Sequence, residues 1–562
     1  MTSFVRNTNM LKRNKRSQSG LSWFKRSRLS ILGTMLLCAS QGSIANEQVE
    51  KNANEEPVVA YHVDFRVQVM PIEALKAMAK EVASLGFNTI IMEWEASYPY
   101  KKHSIISNQY AYTRKEVKEF IEYSDGLGLD VIPLQQNFGH AEYILMHERY
   151  AYLRADARQL SQIDPTRLDA ARDLFEELFD DMFSTHNSEY VHIGGDETRL
   201  LDCKNCQDAW GDLGEEAGKS KIYVDYMKMI AEIVTERGKT PLIWADMILK
   251  HPEAIKDMPK NVIYIDWNYG WDFDRFGSDP RDLIKQYDLQ FWGAPSIRSG
   301  PDDYHSNSWE KHLNNMADYI PEAKKAGYTG MVLTSWSTSG EYGYNWFSGE
   351  VETVEIYPIR QVYPHSYPND AFRMSTSAFI TAIEQEEPIK VKGFTRQYAK
   401  ERFGLTAAEA TNLWKILSSE VMNNKVVVGS VKLSGVKGLT EEQRQLAQVT
   451  LDKVRELQAQ LKQIVPTINE EEFSHYLLQL DLREFWLNFR VIQGWVQSDE
   501  FMRKDRNTAV KMLEALLKKG EELNERFEDS FSGALYDSEI EVLNEYRNHK
   551  IEILLDRLSN ER

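Results

Sequence analysis

Cysteine is scarce in this sequence, with three residues among 562. Two of them, Cys203 and Cys206, form a C-x-x-C pair, and no second pair of cysteines or histidines completes a zinc-binding set. Both a local disulfide and two free thiols are compatible with this spacing. We assign the pair no redox chemistry, and we find no cluster of His, Asp or Glu with the spacing of a metal site.

Basic side chains are outnumbered by acidic ones after the first 45 residues. Residues 1–45 hold eight of the 67 Lys and Arg residues and no acid, so residues 46–562 carry 59 basic against 85 acidic side chains. Such an excess of negative charge repels phosphate backbones, which argues against nucleic acid as a partner. The composition, 42% hydrophobic and 27% charged, is that of a globular protein rather than a disordered or fibrous one.

Long hydrophobic runs are absent after residue 45, where no segment approaches the roughly 20 apolar residues of a membrane helix. An apolar stretch at 29–39 follows a basic segment and precedes the small residues of 43–45, an arrangement typical of an export signal. We therefore expect a signal peptide at 1–45, a polar linker at 46–57, and a periplasmic or secreted protein. An uncleaved membrane anchor is the alternative.

From residue 58 onward, short β-rich segments alternate with amphipathic helical patterns. The eight candidate strands are Val58–Arg66, Asn88–Glu93, Asp130–Gln135, Tyr190–Gly194, Pro241–Ala245, Val262–Trp267, Leu289–Trp292 and Gly330–Ser335. Eight β-then-α units predict an α/β fold, a (β/α)8 TIM barrel over residues 58–374. A doubly wound sheet is the alternative, but the Gly-rich first turn typical of that fold is missing after the first strand.

After about residue 375 the pattern changes to long helical segments. They lie at 407–422, 441–464, 471–496, 507–526 and 538–558. We predict an α-helical C-terminal domain over residues 375–562, to which the sequence alone assigns no chemistry.

Two adjacent acids, Asp196 and Glu197, follow the fourth candidate strand and its two glycines, Gly194 and Gly195. In (β/α)8 enzymes the reacting groups lie at the C-terminal ends of strands. Neighbouring side chains on a regular strand point to opposite faces, but glycine permits backbone angles that would let both carboxyls enter the barrel mouth. Two carboxyls in a partly dry cleft have their pKa values pushed apart, so one can be an acid while the other stays charged. An ordinary helix N-terminus is the alternative.

The segment 192–197, H-I-G-G-D-E, resembles the H-x-G-G-D-E signature of glycoside hydrolase family 20, the exo-acting β-N-acetylhexosaminidases. Residues 131–145, V-I-P-L-Q-Q-N-F-G-H-A-E-Y-I-L, are similar to a segment of the hexosaminidase D branch. Shorter matches to that branch are I-I-M-E-W-E at 90–95 with Y-P-Y at 98–100, W-A-D-M at 244–247 and D-W-N-Y at 266–269. The resemblance covers about residues 58–365 in the family's order and spacing.

This resemblance implies a retaining, substrate-assisted hydrolysis of terminal, non-reducing GlcNAc or GalNAc. The 2-acetamido oxygen of the substrate would attack the anomeric carbon and form an oxazolinium. Glu197 would protonate the leaving oxygen and then activate water, while Asp196 would orient the acetamido N–H and balance the developing positive charge. No metal and no organic cofactor is implied, and the partner would be an oligosaccharide or glycoconjugate with a terminal β-linked N-acetylhexosamine.

The resemblance also implies an aromatic wall for the sugar. Trp244, Trp267 and Trp336 would form an apolar box around the acetamido methyl group, and aromatic faces also pack against the C–H face of a sugar. Packing inside the barrel is the alternative for each tryptophan. Tyr269 could donate its hydroxyl to the acetamido oxygen, with Tyr304 as its rival.

Charged groups would hold the sugar hydroxyls. Arg66 occupies the place of the family's hydroxyl-binding arginine, and the neighbouring Asp64 could be either a ligand or only its structural partner. His140 would bind a hydroxyl or orient Asp196, the alternative being a histidine of the core. Glu341 could hold O4 or O6, the alternative being a solvated loop acid.

Two other functions stay open from the sequence. A hydrolase of the same class could act on a modified hexosamine, such as a sulfated one. A barrel with the same residues could bind carbohydrate without turning it over, although the intact Asp196 and Glu197 favour hydrolysis.

Overall fold

Eight parallel strands surrounded by helices form a closed barrel in the computed structural model of this chain. The structure describes residues 57–66, 68–157, 160–198, 201–299, 302, 304–336, 369–422 and 440–560. The barrel strands follow one another in chain order, and the last pairs with the first. This confirms the predicted (β/α)8 fold, and the doubly wound alternative is wrong because an open sheet would not join its two edges.

The strands, β1 to β9 in chain order, are close to their predicted bounds. They are Val58–Asp64, Thr89–Glu93, Asp130–Leu134, Tyr190–His192, Thr240–Trp244, Ile263–Trp267, Gln290–Ala294, Ser296–Arg298 and Gly330–Ser335. The short strand β8 was not predicted, and it pairs with β9 beside the ring of eight. Three residues are too few to show the alternation by which a strand is recognised in a sequence.

Helices α1 to α9 lie between the strands. They are Ile72–Leu85, Arg114–Gly126, Glu142–Leu145, Leu168–Phe183, Lys204–Trp210, Glu215–Glu236, Asp246–Lys250, Pro280–Tyr287 and Trp309–Lys325. The start of α2 illustrates why a helix begins where it does. The Thr113 side chain accepts from the backbone N–H of Glu116, whose carboxylate accepts in return from the backbone N–H of Thr113, so two otherwise unpaired donors are satisfied.

The predicted helical C-terminal region is confirmed by helices α10 to α16. They are Arg373–Glu384, Val391–Phe403, Ala407–Leu417, Glu441–Leu461, Glu470–Val496, Arg506–Phe531 and Asp537–Asn560. The domain boundary predicted after residue 374 falls in the first turn of α10. None of the helices in the described ranges is long and apolar enough to cross a bilayer.

The barrel interior changes from apolar to polar along the strands. Its apolar cluster consists of Ala60, Ile91, Ile132, Leu134, Leu242, Trp244, Ile263, Ile265, Trp292, Ala294 and Val332. Side chains two residues apart on a strand share a face, so the next inward positions carry buried polar groups: His62, Glu93, Gln136 and Asp246. The polar end of the interior therefore coincides with the C-terminal ends of the strands.

The helical region packs against loops at that same end of the barrel. The backbone N–H of Val69, after β1, donates to Glu539 at 3.4 Å. Tyr110, after β2, stacks on Tyr536 with ring centroids 5.2 Å apart. From Pro57 onward the described residues form one compact unit. The loops that surround the barrel mouth are thus supported from outside by helices.

The contact between Phe87 and Phe379 tests whether the barrel and the helical region are stabilised together. The two rings are stacked with centroids 5.5 Å apart, and Phe379, in α10, is fully buried. We predict that Phe379→Ala lowers the free energy of unfolding by about 3–5 kcal/mol, because apolar contacts are lost and a cavity remains. Urea denaturation measures this. Val449→Ala on α13, where the side chain is 66% exposed, is the control and should change it by less than about 0.5 kcal/mol; equal losses would contradict the prediction.

Candidate active site

The loop after β4 presents Asp196 and Glu197 at the polar end of the barrel. Three residues of this loop have positive φ: Gly194 at 60°, Gly195 at 92° and Glu197 at 49°. A Cβ atom on Gly194 would collide with the Gln136 amide oxygen. The loop therefore needs glycine for both its angles and its space, as the sequence predicts.

The two acids differ in their access to solvent. The side chain of Asp196 is 7% exposed and that of Glu197 is 38% exposed. Among the described residues, the buried Oδ1 of Asp196 has no hydrogen-bond partner, so it can accept a hydrogen bond from a ligand. The next described helix, α5, begins at Lys204, so the helix N-terminus proposed as the alternative reading of the pair is wrong.

His140 contacts both acids. Its Nε2 lies 3.3 Å from Asp196 Oδ2 and 3.5 Å from Glu197 Oε2. Burial and Arg66 each lower the pKa of His140, but the two carboxylates outweigh them and raise it well above its usual range. The structure therefore places the imidazole in contact with both acids, where its protonated form is favoured, rather than in the apolar core.

Arg66 is the centre of a second charged group. Its Nε donates to Glu95 and its Nη2 to Glu93, each at 3.1 Å, and its backbone N–H donates to Asp64 Oδ1 at 2.7 Å. Asp64 is thus a structural partner of the Arg66 main chain. Burial would raise the pKa of Glu93, but hydrogen bonding from His62 and the charge of Arg66 hold it well below its usual range.

The predicted aromatic residues lie together. Trp336 lies 5.3 Å from Trp244, centroid to centroid, and its Nε1 donates to the Tyr269 hydroxyl. Tyr269 in turn lies 5.3 Å from Trp267. Trp244 is fully buried, whereas Trp267 and Trp336 are partly exposed. The structure brings all three tryptophans and Tyr269 into one connected aromatic group.

Tyr304, predicted as the rival of Tyr269, lies away from this aromatic group. The hydroxyl of Tyr304 is 2.6 Å from Nδ1 of His475 in α14, and the ring packs edge-on against Phe531 of α15. Tyr304 is therefore committed to the helical region. Glu341 lies outside the described residues.

Sequence reasoning missed Asp246 and Glu93 as members of the site. The Asp246 Oδ2 accepts from the backbone N–H of Glu197 at 3.2 Å. The side chains of Asp246 and Glu93 are both buried. The sequence contained a signal for both acids, because side chains two residues apart on a strand share a face. Asp246 lies two residues after the inward-facing Trp244, and Glu93 lies two residues after the inward-facing Ile91.

Cys203 and Cys206 form a disulfide, which decides between the two readings of the C-x-x-C pair. Within the described ranges, the one group with metal-ligand geometry combines this pair with Asp164. Both sulfurs are committed to the S–S bond, so the group offers a single carboxylate, and one ligand does not make a metal site.

Gly194→Ala tests the tight packing of the loop after β4. The new Cβ would force Gln136 away from its hydrogen bond to Glu93 and strain a left-handed backbone. We predict a melting temperature several degrees lower, by about 4 °C or more, and a larger loss than in the control Gly128→Ala. Gly128 has φ 80° but open space around it, so this control carries backbone strain alone. If differential scanning fluorimetry gives equal decreases in melting temperature for the two variants, the lack of space beside Gly194 does not contribute to the loss.

Comparison with known proteins finds similar sequences and structures. Residues 79–274 match the sequence model of glycosyl hydrolase family 20, catalytic domain. Hexosaminidase D of Bos taurus is 28% identical over 290 residues, which are 49% of this chain and 83% of that protein. Hexosaminidase D of Homo sapiens is 27% identical over 297 residues, 50% of this chain and 60% of that protein. Among solved structures, the chitobiase of Flavobacterium johnsoniae has a TM-score of 0.45 at 14% identity and covers 90% of this chain and 73% of its own.

The matched segment runs from α1 to beyond β6 and contains His140, Asp196, Glu197 and Trp244. His140, Asp196 and Glu197 meet at the polar end of the barrel, and Trp244 belongs to the apolar cluster of the interior. Residues 79–274 are thus similar to the catalytic domain of glycosyl hydrolase family 20, and these comparisons support a glycoside hydrolase of the β-hexosaminidase class.

Proposed function

We propose that this protein is an exo-acting β-N-acetylhexosaminidase that removes terminal, non-reducing GlcNAc or GalNAc by retaining, substrate-assisted catalysis. The observation that carries the proposal is the pairing of a withdrawn carboxylate, Asp196, with an accessible one, Glu197, both in contact with Nε2 of His140. An acid that solvent reaches suits proton transfer, and an acid withheld from solvent suits orientation and charge balance.

Asp196 has the features that an acetamido group requires. Its Oδ1 is a buried acceptor with no hydrogen-bond partner in the described part of the chain, and a 2-acetamido N–H supplies one donor. When the acetamido oxygen attacks the anomeric carbon, its C–N unit gains positive charge. A carboxylate fixed beside that unit in a largely dry site stabilises the charge more strongly than water would.

Glu197 is proposed as the general acid and base. In the first step its carboxyl proton moves to the glycosidic oxygen as the C–O bond breaks, and the acetamido oxygen closes the ring. In the second step its carboxylate takes a proton from water, which attacks the anomeric carbon and reopens the ring. Displacement twice at the same carbon leaves the product in the β configuration.

The aromatic group suits the rest of the sugar. Trp267 and Trp336, which are partly exposed, offer apolar surface for the acetamido methyl group and the C–H face of the ring, and the buried Trp244 packs against Trp336. The oxygen of Tyr269 accepts from Trp336, and a phenol that accepts can still donate its own hydrogen to the acetamido oxygen.

Arg66 is proposed to bind a ring hydroxyl. Glu93 and Glu95 already fix its guanidinium, so binding would not have to immobilise a flexible side chain. His140, in contact with both acids, is proposed to orient Asp196.

We also propose that the protein is exported. The basic and apolar residues of 1–45 are the basis of this proposal. A disulfide at Cys203–Cys206 fits an oxidising compartment, where such bonds persist.

Glu197→Gln tests the general acid. We predict a fall in kcat of about 10²–10⁴-fold on p-nitrophenyl β-GlcNAc, with an unchanged melting temperature. The loss should be smaller with a 2,4-dinitrophenyl leaving group, which needs less help from a proton. The control is Glu189→Gln, just before the same strand, where the side chain is 81% exposed and no rate change is expected.

The same assay tests the alternative that the protein only binds carbohydrate. Such a protein would gain thermal stability with the sugar and release no nitrophenol.

The 2-substituent of the substrate tests whether the substrate supplies the nucleophile. We predict that kcat/KM falls progressively from N-acetyl to N-trifluoroacetyl glucosaminides, because fluorine makes the amide oxygen a weaker nucleophile. The 2-hydroxyl analogue should not be turned over. Proton NMR should detect the β anomer as the first product. Equal rates across the series would indicate a nucleophile on the protein, and turnover of sulfated hexosaminides alone would indicate a modified natural substrate.

A further inference from the structure

Asp246 is a third carboxylate beside the acid pair. It is the first residue of α7, two residues beyond Trp244, and its side chain is 1% exposed. Its Oδ2 accepts from the backbone N–H of Glu197 at 3.2 Å. A buried carboxylate that contacts the main chain of the proposed acid is placed to affect both the position and the charge of that acid.

The hydrogen bond from Glu197 to Asp246 starts at a residue whose backbone is strained. Glu197 has φ 49°, a conformation that side-chain-bearing residues adopt at a cost. Such a conformation persists only when surrounding contacts hold it. The hydrogen bond to Asp246 is a contact of this kind, and it crosses from the β4 loop to the end of β5.

Charged and titratable groups face Asp246 from three elements. Lys250, on α7, has its Nζ 3.6 Å from Oδ2 and is 42% exposed. Asp196 and Glu197 face it from the loop after β4, and Tyr223 faces it from α6. Burial raises the pKa of Asp246 to about 7, an effect that Lys250 opposes and the two acids reinforce.

We propose that Asp246 is a positioning residue for the hydrolytic reaction, which holds the main chain of Glu197 and, through its charge, sets the upper pH limit of activity. The inference rests on the role proposed above for Glu197. A negative charge at Asp246 makes it less favourable for Glu197 to lose its proton, so the acid form survives to higher pH.

Two variants separate the hydrogen bond from the charge. Asp246→Asn keeps an oxygen that can accept from the Glu197 N–H but removes the charge. We expect kcat to stay within a few-fold of the parent, and the alkaline limb of the pH–rate profile to move down by about one unit. Asp246→Ala removes both the acceptor and the charge. We expect kcat to fall by about 10²-fold with little change in KM, because Glu197 is no longer held in place.

A surface variant tests the same charge without touching the core. Lys250→Gln removes the cation that stabilises ionised Asp246, so the pKa of Asp246 rises. A larger fraction of Asp246 is then uncharged, so the negative charge that keeps Glu197 protonated is weaker. The alkaline limb should therefore move down, in the same direction as in Asp246→Asn but by less. Because Lys250 is partly exposed, this variant is expected to fold even if Asp246→Ala does not.

Asp266→Asn is the matched control. Asp266 is also buried, burial raises its pKa to about 6, and it accepts from Tyr319 and Tyr328 rather than from the acid loop. This variant should lose thermal stability without moving the pH profile. The inference is overturned if the Asp246→Asn and Lys250→Gln variants also leave the pH profile where it is in the parent. If instead the parent protein hydrolyses no hexosaminide, or Glu197→Gln keeps its rate, the proposed function fails and this inference falls with it.

Discussion

The buried end of this barrel depends on two cations, Arg66 and His140, that hold negative charges out of water. Burial alone would drive the surrounding carboxyls to take up protons. It does raise the pKa values of Asp64 and Glu95, where Glu93 adds to the effect of burial. Glu93 remains ionised because His62 and Arg66 both bind it. The site therefore contains more acids than its cations can neutralise, which favours the protonated form of Asp64 and Glu95.

That imbalance has a chemical use. A glycosidase needs one acid that is protonated and one that is ionised within a single site, and crowding like charges is the physical way to obtain them. His140 contacts both members of the pair through Nε2.

Most of the fold followed from the sequence because its strands are apolar and its helices are periodic. The acid pair could be found because two glycines and two acids in a row at a strand end are unusual. The position of Asp246 two residues beyond Trp244 indicated an inward-facing side chain, but its role depends on a hydrogen bond to Glu197, 49 residues away in the chain, which no local pattern shows. Tyr304 was a plausible ligand by position, but its hydroxyl is bound to His475, a partner that no local pattern reveals. The choice between disulfide and thiols also needed coordinates, since C-x-x-C spacing suits both.

The disulfide between Cys203 and Cys206 closes a ring of very few residues shortly after the acid pair. Chain-entropy arguments give so small a ring little influence on the unfolded ensemble. Its influence is then confined to the segment that leads from the acids into α5, where Cys203 also caps the helix by accepting from the Cys206 N–H. Protein produced in a reducing cytoplasm would therefore unfold with near-native stability while lacking the disulfide that lies close to the acid pair. The compartment in which the protein is produced is thus a variable in any comparison of turnover.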